Sequence, residues 1–275
     1  MVHTTIARNG EKFRFGVGSN GVLRKTTRFI GLSAHAGSNP ADGINALNAA
    51  NAALMTCNSL RETFKEEDYV RFHSIITKGG DAVNAVPDEV IVESYVRAAS
   101  VKALKQANEK VNRTLASCAA AFGARVEITD MAGSEALHDD KTMIEVAVSV
   151  AEKFAGKDGY VVSDKWTASS TDMGDVSALF PSIHAYACGA SNPIHSNNFV
   201  ITDPATACVD NARFQLALIE ELLKDGAKQA KRVIENYKPQ FNSIKEYLEH
   251  KVSISKTRDA VIYNADGTVT LNYKN

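Results

Sequence analysis

From Lys25 to Gly133 the apolar residues switch repeatedly between the two-residue period of a strand and the 3.6-residue period of a helix. That alternation constrains the fold more than any other feature. Lys25 to Leu32 is rich in β-formers. Ala41 to Phe64 carries Ile44, Leu47, Ala50, Leu54, Cys57 and Leu60 at helical spacing, an apolar stripe along one face. Tyr69 to Thr77 reads as a strand, Gly79-Gly80-Asp81 as a turn, and Glu89 to Ala98 as a second strand. Ser100 stands where a helix N-cap belongs. Val101, Leu104, Ala107, Val111, Leu115, Cys118 and Phe122 then form a second stripe that stops at Gly123, and Arg125 to Met131 supplies a last strand.

The resulting order, β-α-β-β-α-β, is the ferredoxin-like arrangement, with two helices on one face of a four-stranded antiparallel sheet. A free sheet edge invites pairing, and a second copy of the chain is a common way to cover it. A homodimer is expected.

Beyond Gly133 longer helices alternate with short strands. Asp140 to Ala155 is a helix by the spacing of Met143, Ile144, Ala147, Val150, Ala151 and Phe154, and Tyr160 to Ser163 and Ile183 to Cys188 are strands. Pro204 to Leu223 is a second helix, with Asp203 as N-cap and Gly226 as its stop. This part reads as an α/β sheet with too few strands of its own, since the residues before Lys25 add one or two at most. Val261 to Tyr273, interrupted by Asn264-Ala265-Asp266-Gly267, reads as a hairpin. The domain boundaries follow as 1–24, 25–133 and 134–275.

Charge and cysteines narrow the function. Lys and Arg number 31 against 32 for Asp and Glu, so no global field draws in nucleic acid or an anionic membrane. No apolar run reaches 18 residues. Four scattered cysteines without a C-x-x-C pair suggest reduced thiols in a cytoplasm.

Several motifs have plain structural explanations. Gly16-Val17-Gly18-Ser19-Asn20-Gly21 has dinucleotide-loop spacing, but β-formers follow it where a helix is required, so it reads as a β-turn. In His138-Asp139-Asp140 either aspartate serves as an N-cap. Glu66-Glu67 and Glu220-Glu221 lie on or beside polar helix faces as solvated charge. His35 stands apart, an imidazole among small residues in Ser33-Ala34-His35-Ala36-Gly37, at the open end of a strand. His195, in the polar stretch Pro193 to Asn198, suits a metal ligand or a turn cap.

Five ordered strings together resemble the zinc-dependent amidohydrolases that include aminoacylase, hippurate hydrolase, carboxypeptidase G and aminobenzoyl-glutamate hydrolase. They are Ser33-Ala34-His35-Ala36-Gly37; Gly79-Gly80 followed by Asn84-x-x-Pro87-Asp88; Val96-Arg97-Ala98; Ser170-Thr171-Asp172-Met173-Gly174-Asp175; and His195. The resemblance implies an α+β chain, a ferredoxin-like lid that dimerises and is inserted in an α/β catalytic domain. It implies two zinc ions (or manganese or cobalt) in the complete enzyme, and cleavage of the amide of small N-acyl amino acids or dipeptide-like substrates with a free carboxylate. By the same comparison His35 stabilises the oxyanion in the partner's site, and Asn84 and Arg97 bind the substrate. Asp172 and Gly174 line its pocket, and His195 is a terminal metal ligand.

The same relatives place a His-x-Asp motif, a bridging ligand and a Glu-Glu pair before the lid, and the residues before Lys25 match none of them. The N-terminal half of the catalytic domain is therefore expected to be missing. The chain alone should hold no metal tightly and hydrolyse nothing without a separate N-terminal half. The alternative is a non-catalytic dimerisation or binding module.

Overall fold

The computed structural model describes Met1 to Lys274. The path begins with β1 (Val2–Ile6), β2 (Phe13–Phe15) and β3 (Gly18–Ser19). It continues through β4 (Gly21–Ile30), α1 (Ala46–Ser59), β5 (Arg71–Lys78), β6 (Glu89–Ala98), α2 (Val101–Ala121) and β7 (Arg125–Ala132). Then come β8 (Leu137–His138), α3 (Lys141–Ala155), β9 (Tyr160–Val162), α4 (Met173–Ser177), β10 (Ala185–Ser191), β11 (Val200–Ile201) and α5 (Asn211–Asn236). The chain closes with α6 (Ile244–Ile254), β12 (Lys256–Asp259), β13 (Val261–Tyr263) and β14 (Val269–Leu271). These elements fall into two compact units.

One unit comprises 20–136, 168–170 and 244 onward. Its sheet has the order β12-β7-β4-β6-β5, antiparallel throughout. The element order from β4 to β7 is the β-α-β-β-α-β read from the periodicity. Alternate residues of β6, from Val90 to Ala98, are buried against α1 and α2, whose apolar stripes supply Ala49, Ala53, Leu104, Val111 and Leu115 to the same core. Ser100 caps α2 by accepting from the Ala103 amide at 3.2 Å.

The structure corrects several expectations. The first helix is shorter than 41–64, because Asn45 caps it by accepting from the Asn48 amide at 2.9 Å, and 3-10 turns hold 40–42 and 60–63. Ile44 lies outside the helix and pairs with Leu32 in an isolated bridge. The unit is wider than 25–133 at both ends. Residues 244–274 belong here and not with a domain spanning 134–275, because β12 pairs with β7 and adds a fifth strand. The glycines at 16–21 form no turn of their own: Gly18 pairs with His138 in β3, and Gly21 begins β4.

A buried ionic network ties the fifth strand in. Lys25, fully enclosed, pairs with Asp130 and bonds Asn112 Oδ1 at 2.6 Å. Asp130 Oδ2 also accepts from Asn108 at 3.0 Å, Asn112 at 3.2 Å and Arg258 of β12 at 2.9 Å. Burial pulls the Lys25 amine below its ordinary range, and the Asp130 charge opposes that pull.

The other unit comprises 1–19, 137–167 and 171–243. Its main sheet runs β1-β10-β2-β9, with β11 on β10. The first nineteen residues contribute three strands, more than the sequence promised. Phe13 and Phe15 pack on Phe214 of α5, the first pair with ring centroids 4.9 Å apart, and α3 adds Val146, Ala147 and Val150. Asp140 is the cap of α3, accepting from the Met143 amide at 2.7 Å. Asp203 accepts from the Thr206 amide at 3.1 Å, but the turn it opens is π-helical, and α5 follows at Asn211. Helical geometry breaks from Lys224 to Ala227, around the Gly226 expected to stop it.

Candidate active-site residues

His35 and Asn84 come together on two loops at one end of the first sheet. Leu32 and Ile44 exchange backbone hydrogen bonds of 2.9 Å, closing the loop that carries His35. Gly31 is required at its root, since a Cβ there would collide with the Ile44 carbonyl. The second loop docks on the first: the Ala36 amide donates to the Asn84 carbonyl at 2.9 Å, and His35 bridges Ala85. Both side chains are exposed.

The His35 ring is fixed by the backbone. Its Nδ1 accepts from the amides of Gly37 and Ser38, each at 3.1 Å. A nitrogen that accepts two N–H groups carries no proton, so the neutral ring presents Nε2–H outward as a donor. The small residues after His35 make this closeness attainable.

Arg97 lies at the far end of β6 from these loops. Gly31, at the root of the His35 loop, bonds Asp88 just before the strand begins, while Arg97 is its penultimate residue. At ten residues, β6 is about 30 Å from end to end. Within one copy, Arg97 and His35 cannot meet a common small substrate. Arg97 sits on the outer face of the sheet with Arg71, His73 and Tyr95.

The remaining expected residues lie in the other unit. Gly174 is buried in α4 and Asp172 occupies its N-cap position, where Thr171 donates to Asp172 at 3.1 Å. His195 is exposed in the loop between β10 and β11, with φ of 68°. It stands without a metal cluster: among the described residues no group of three or more His, Cys, Asp or Glu is arranged to hold a metal ion.

A polar cluster on the second unit's sheet centres on the buried His184. His184 Nε2 and His3 Nδ1 are 2.9 Å apart, and Tyr186 stacks near both rings. The Asp139 carboxylate accepts from the His184 amide at 2.6 Å. Burial pushes the Asp139 acid up to about 7. Burial and then the nearby His3 charge bring His184 down to about 4, with Asp172 acting weakly the other way. At neutral pH the imidazole is therefore uncharged and the acid is near its midpoint. Asp139 also borders a cleft of about 670 Å³ shared with His138, Ser177 and Tyr237. The His138-Asp139-Asp140 string was the visible trace of this cluster, but His3 and His184 are 181 positions apart and only strand pairing joins them.

Comparison with known proteins places the first unit. Residues 17–121 match the model of a peptidase dimerisation domain of the M20 type. The chain is 32% identical over 171 residues to Xaa-Arg dipeptidase of Mus musculus, an alignment covering 58% of this chain and 37% of the relative. With the Homo sapiens Xaa-Arg dipeptidase it shares 30% over 180 residues, 62% of this chain and 39% of the relative. The chain thus spans less than two fifths of the length of these two relatives. Among solved structures, a dinuclear metal binding peptidase of the M20 family from Bacillus subtilis superposes with a TM-score of 0.55 at 17% identity, over 79% of this chain and 56% of that one. Residues 17–121 thus carry a dimerisation domain of the peptidase type, and the chain is similar in sequence to Xaa-Arg dipeptidases and in fold to an M20 peptidase.

Proposed function

We propose that this chain supplies the dimerisation lid and part of the catalytic domain of a metal-dependent amidohydrolase that cleaves small N-acyl amino acids or dipeptide-like substrates. The observation that carries this reading is the His35 ring, exposed on a closed loop with Nδ1 saturated and Nε2–H presented outward. A preorganised donor of this kind suits the oxyanion of an amide-cleavage transition state, where one donor is worth about 3 kcal/mol. Asn84 lies beside it, and Arg97 offers a planar fork of donors to a substrate carboxylate.

His35 and Arg97 stand at opposite ends of β6, so one substrate engages both only when a second copy brings its own loop to the Arg97 end. β5 is the open edge of its sheet, with Ile75 63% exposed on it, and pairing there with another copy is the arrangement we infer for the homodimer. Asp172 and Gly174 are proposed to line the substrate pocket, and His195 to serve as one terminal ligand.

Among the described residues no group of three or more His, Cys, Asp or Glu is arranged to hold a metal ion, so they do not by themselves fit a two-metal centre. No reaction step is therefore assigned to a bound ion. We infer that the remaining ligands for zinc, manganese or cobalt come from residues outside this sequence. The free thiols of Cys57, Cys118, Cys188 and Cys208 accord with a reducing cytoplasm, and among the described residues no helix is long and apolar enough to cross a membrane.

A second reading, a non-catalytic module, is favoured by the absence of a three-ligand cluster among the described residues. The two are separated by metal content and hydrolysis of an N-acyl amino acid panel, with the chain alone and mixed with a segment carrying the family's other ligands. Hydrolysis in the mixture supports the enzyme. Silence in both, with a stable dimer, supports the module.

A further inference from the structure

Arg97 is held from two sides. Its Nε donates to His73 Nε2 at 3.1 Å across the β5–β6 ladder. Its guanidinium carbon lies 5.5 Å from the centroid of the Tyr95 ring, and His73 packs edge-on against the same ring at 5.4 Å. A depression of about 210 Å³ opens beside them, lined by His73, Ser74, Ile75, Glu93, Ser94 and Tyr95.

Engaging Nε fixes the plane of a guanidinium while leaving its two terminal nitrogens for a planar anion. The nature of the acceptor matters. A carboxylate in place of His73 would orient the arginine but cancel its charge and compete with an incoming carboxylate. A neutral imidazole orients it at full charge. Burial, and then the Arg97 charge, hold His73 below the usual imidazole range, which keeps it an acceptor at neutral pH. Arg71 pairs directly with Arg97 across the ladder. Two like charges so placed repel, and an anion between them relieves the repulsion.

We propose that His73 is a positioning residue for Arg97, with Tyr95 as the platform, aiming the terminal nitrogens of Arg97 at the carboxylate of a small substrate. The proposal rests on the reading of Arg97 as the carboxylate-binding residue, and the test separates the two.

Hippurate binding to the full chain is followed by NMR, with the uncharged hippuramide as control. His73→Leu should weaken hippurate about tenfold with an unchanged urea midpoint, and His73→Gln, whose amide oxygen also accepts, should restore most of it. His73→Leu binding as tightly as the unaltered chain, while Arg97→Ala does not bind, overturns the positioning role alone. Arg97→Ala binding at full affinity, or no hippurate binding by the unaltered chain, overturns the carboxylate reading beneath it. Nitrogen-15 spectra of the unaltered chain give a check that needs no variant. His73 should carry its proton on Nδ1, and a proton on Nε2 would overturn the proposal.

Discussion

Arg258 donates from Nη2 to Asp130 Oδ2 at 2.9 Å, engaging the same carboxylate that neutralises the enclosed Lys25. One acid on β7 thus joins β4 to β12 through charges almost wholly removed from water. Asp130→Asn leaves two cations facing a neutral amide, and loss of a buried partner typically costs about 3–5 kcal/mol. Urea unfolding should show a loss of that order for Asp130→Asn. A loss below about 1 kcal/mol would mean that water reaches the network.

Asp139 and His184 oppose each other in their effect on stability with pH. The acid is raised from 3.8 to about 7, so its contribution is complete below its unfolded value and is lost as pH rises through about 7. The imidazole is lowered from 6.5 to about 4, so its contribution is present above 6.5 and is lost as pH falls through about 4. Asp139→Asn keeps an acceptor for the His184 amide and removes the first titration. The variant should gain about 1–3 kcal/mol over the unaltered chain at pH 8 and little at pH 4. Equal curves for the two proteins would show that Asp139 titrates at the same pH in the folded and unfolded chain.

The open edge at β5 should carry the association. Ile75→Lys places a charge on that edge and should halve the mass found by sedimentation, from twice 29.7 kDa to the single chain, without lowering the unfolding midpoint. A dimer that persists in Ile75→Lys would place the contact elsewhere.

His35 should affect chemistry and not folding. Its ring is exposed and its partners are local amides. His35→Ala should shift the unfolding free energy by less than about 0.5 kcal/mol. NMR should find the ring of the unaltered chain protonated on Nε2 when neutral, and a proton on Nδ1 would contradict the outward-facing donor.

The parts of this fold that local chemistry decides were open to sequence reading. The strands and helices from β4 to β7 follow from apolar spacing, and the caps Ser100 and Asp140 sit where hydroxyl and carboxylate side chains meet orphan amides. Apolar spacing overran the first helix, because Ile44 and Leu60 stay partly buried on either side of it, Ile44 in an isolated bridge and Leu60 in a 3-10 turn. β12 was hidden for the opposite reason. Its sequence, Lys256-Thr257-Arg258-Asp259, has no apolar alternation, and a pairing with β7 and one buried ion pair hold it in place. Of the site residues, the small residues after His35 hinted at a close backbone. His73 gave no hint, because its role depends on the cross-strand pairing that puts it beside Tyr95 and Arg97.

The central claim is that one active site takes His35 from one copy and Arg97 from another. It is tested most directly by mixing His35→Ala and Arg97→Ala chains in the presence of the segment that supplies the other ligands. Each variant alone should be inactive toward N-acyl amino acids. Random pairing makes half the dimers mixed, each with one intact site, so the mixture should recover about a quarter of full activity. A mixture no more active than its parts, while the unaltered chain hydrolyses the same substrates, would contradict the shared site.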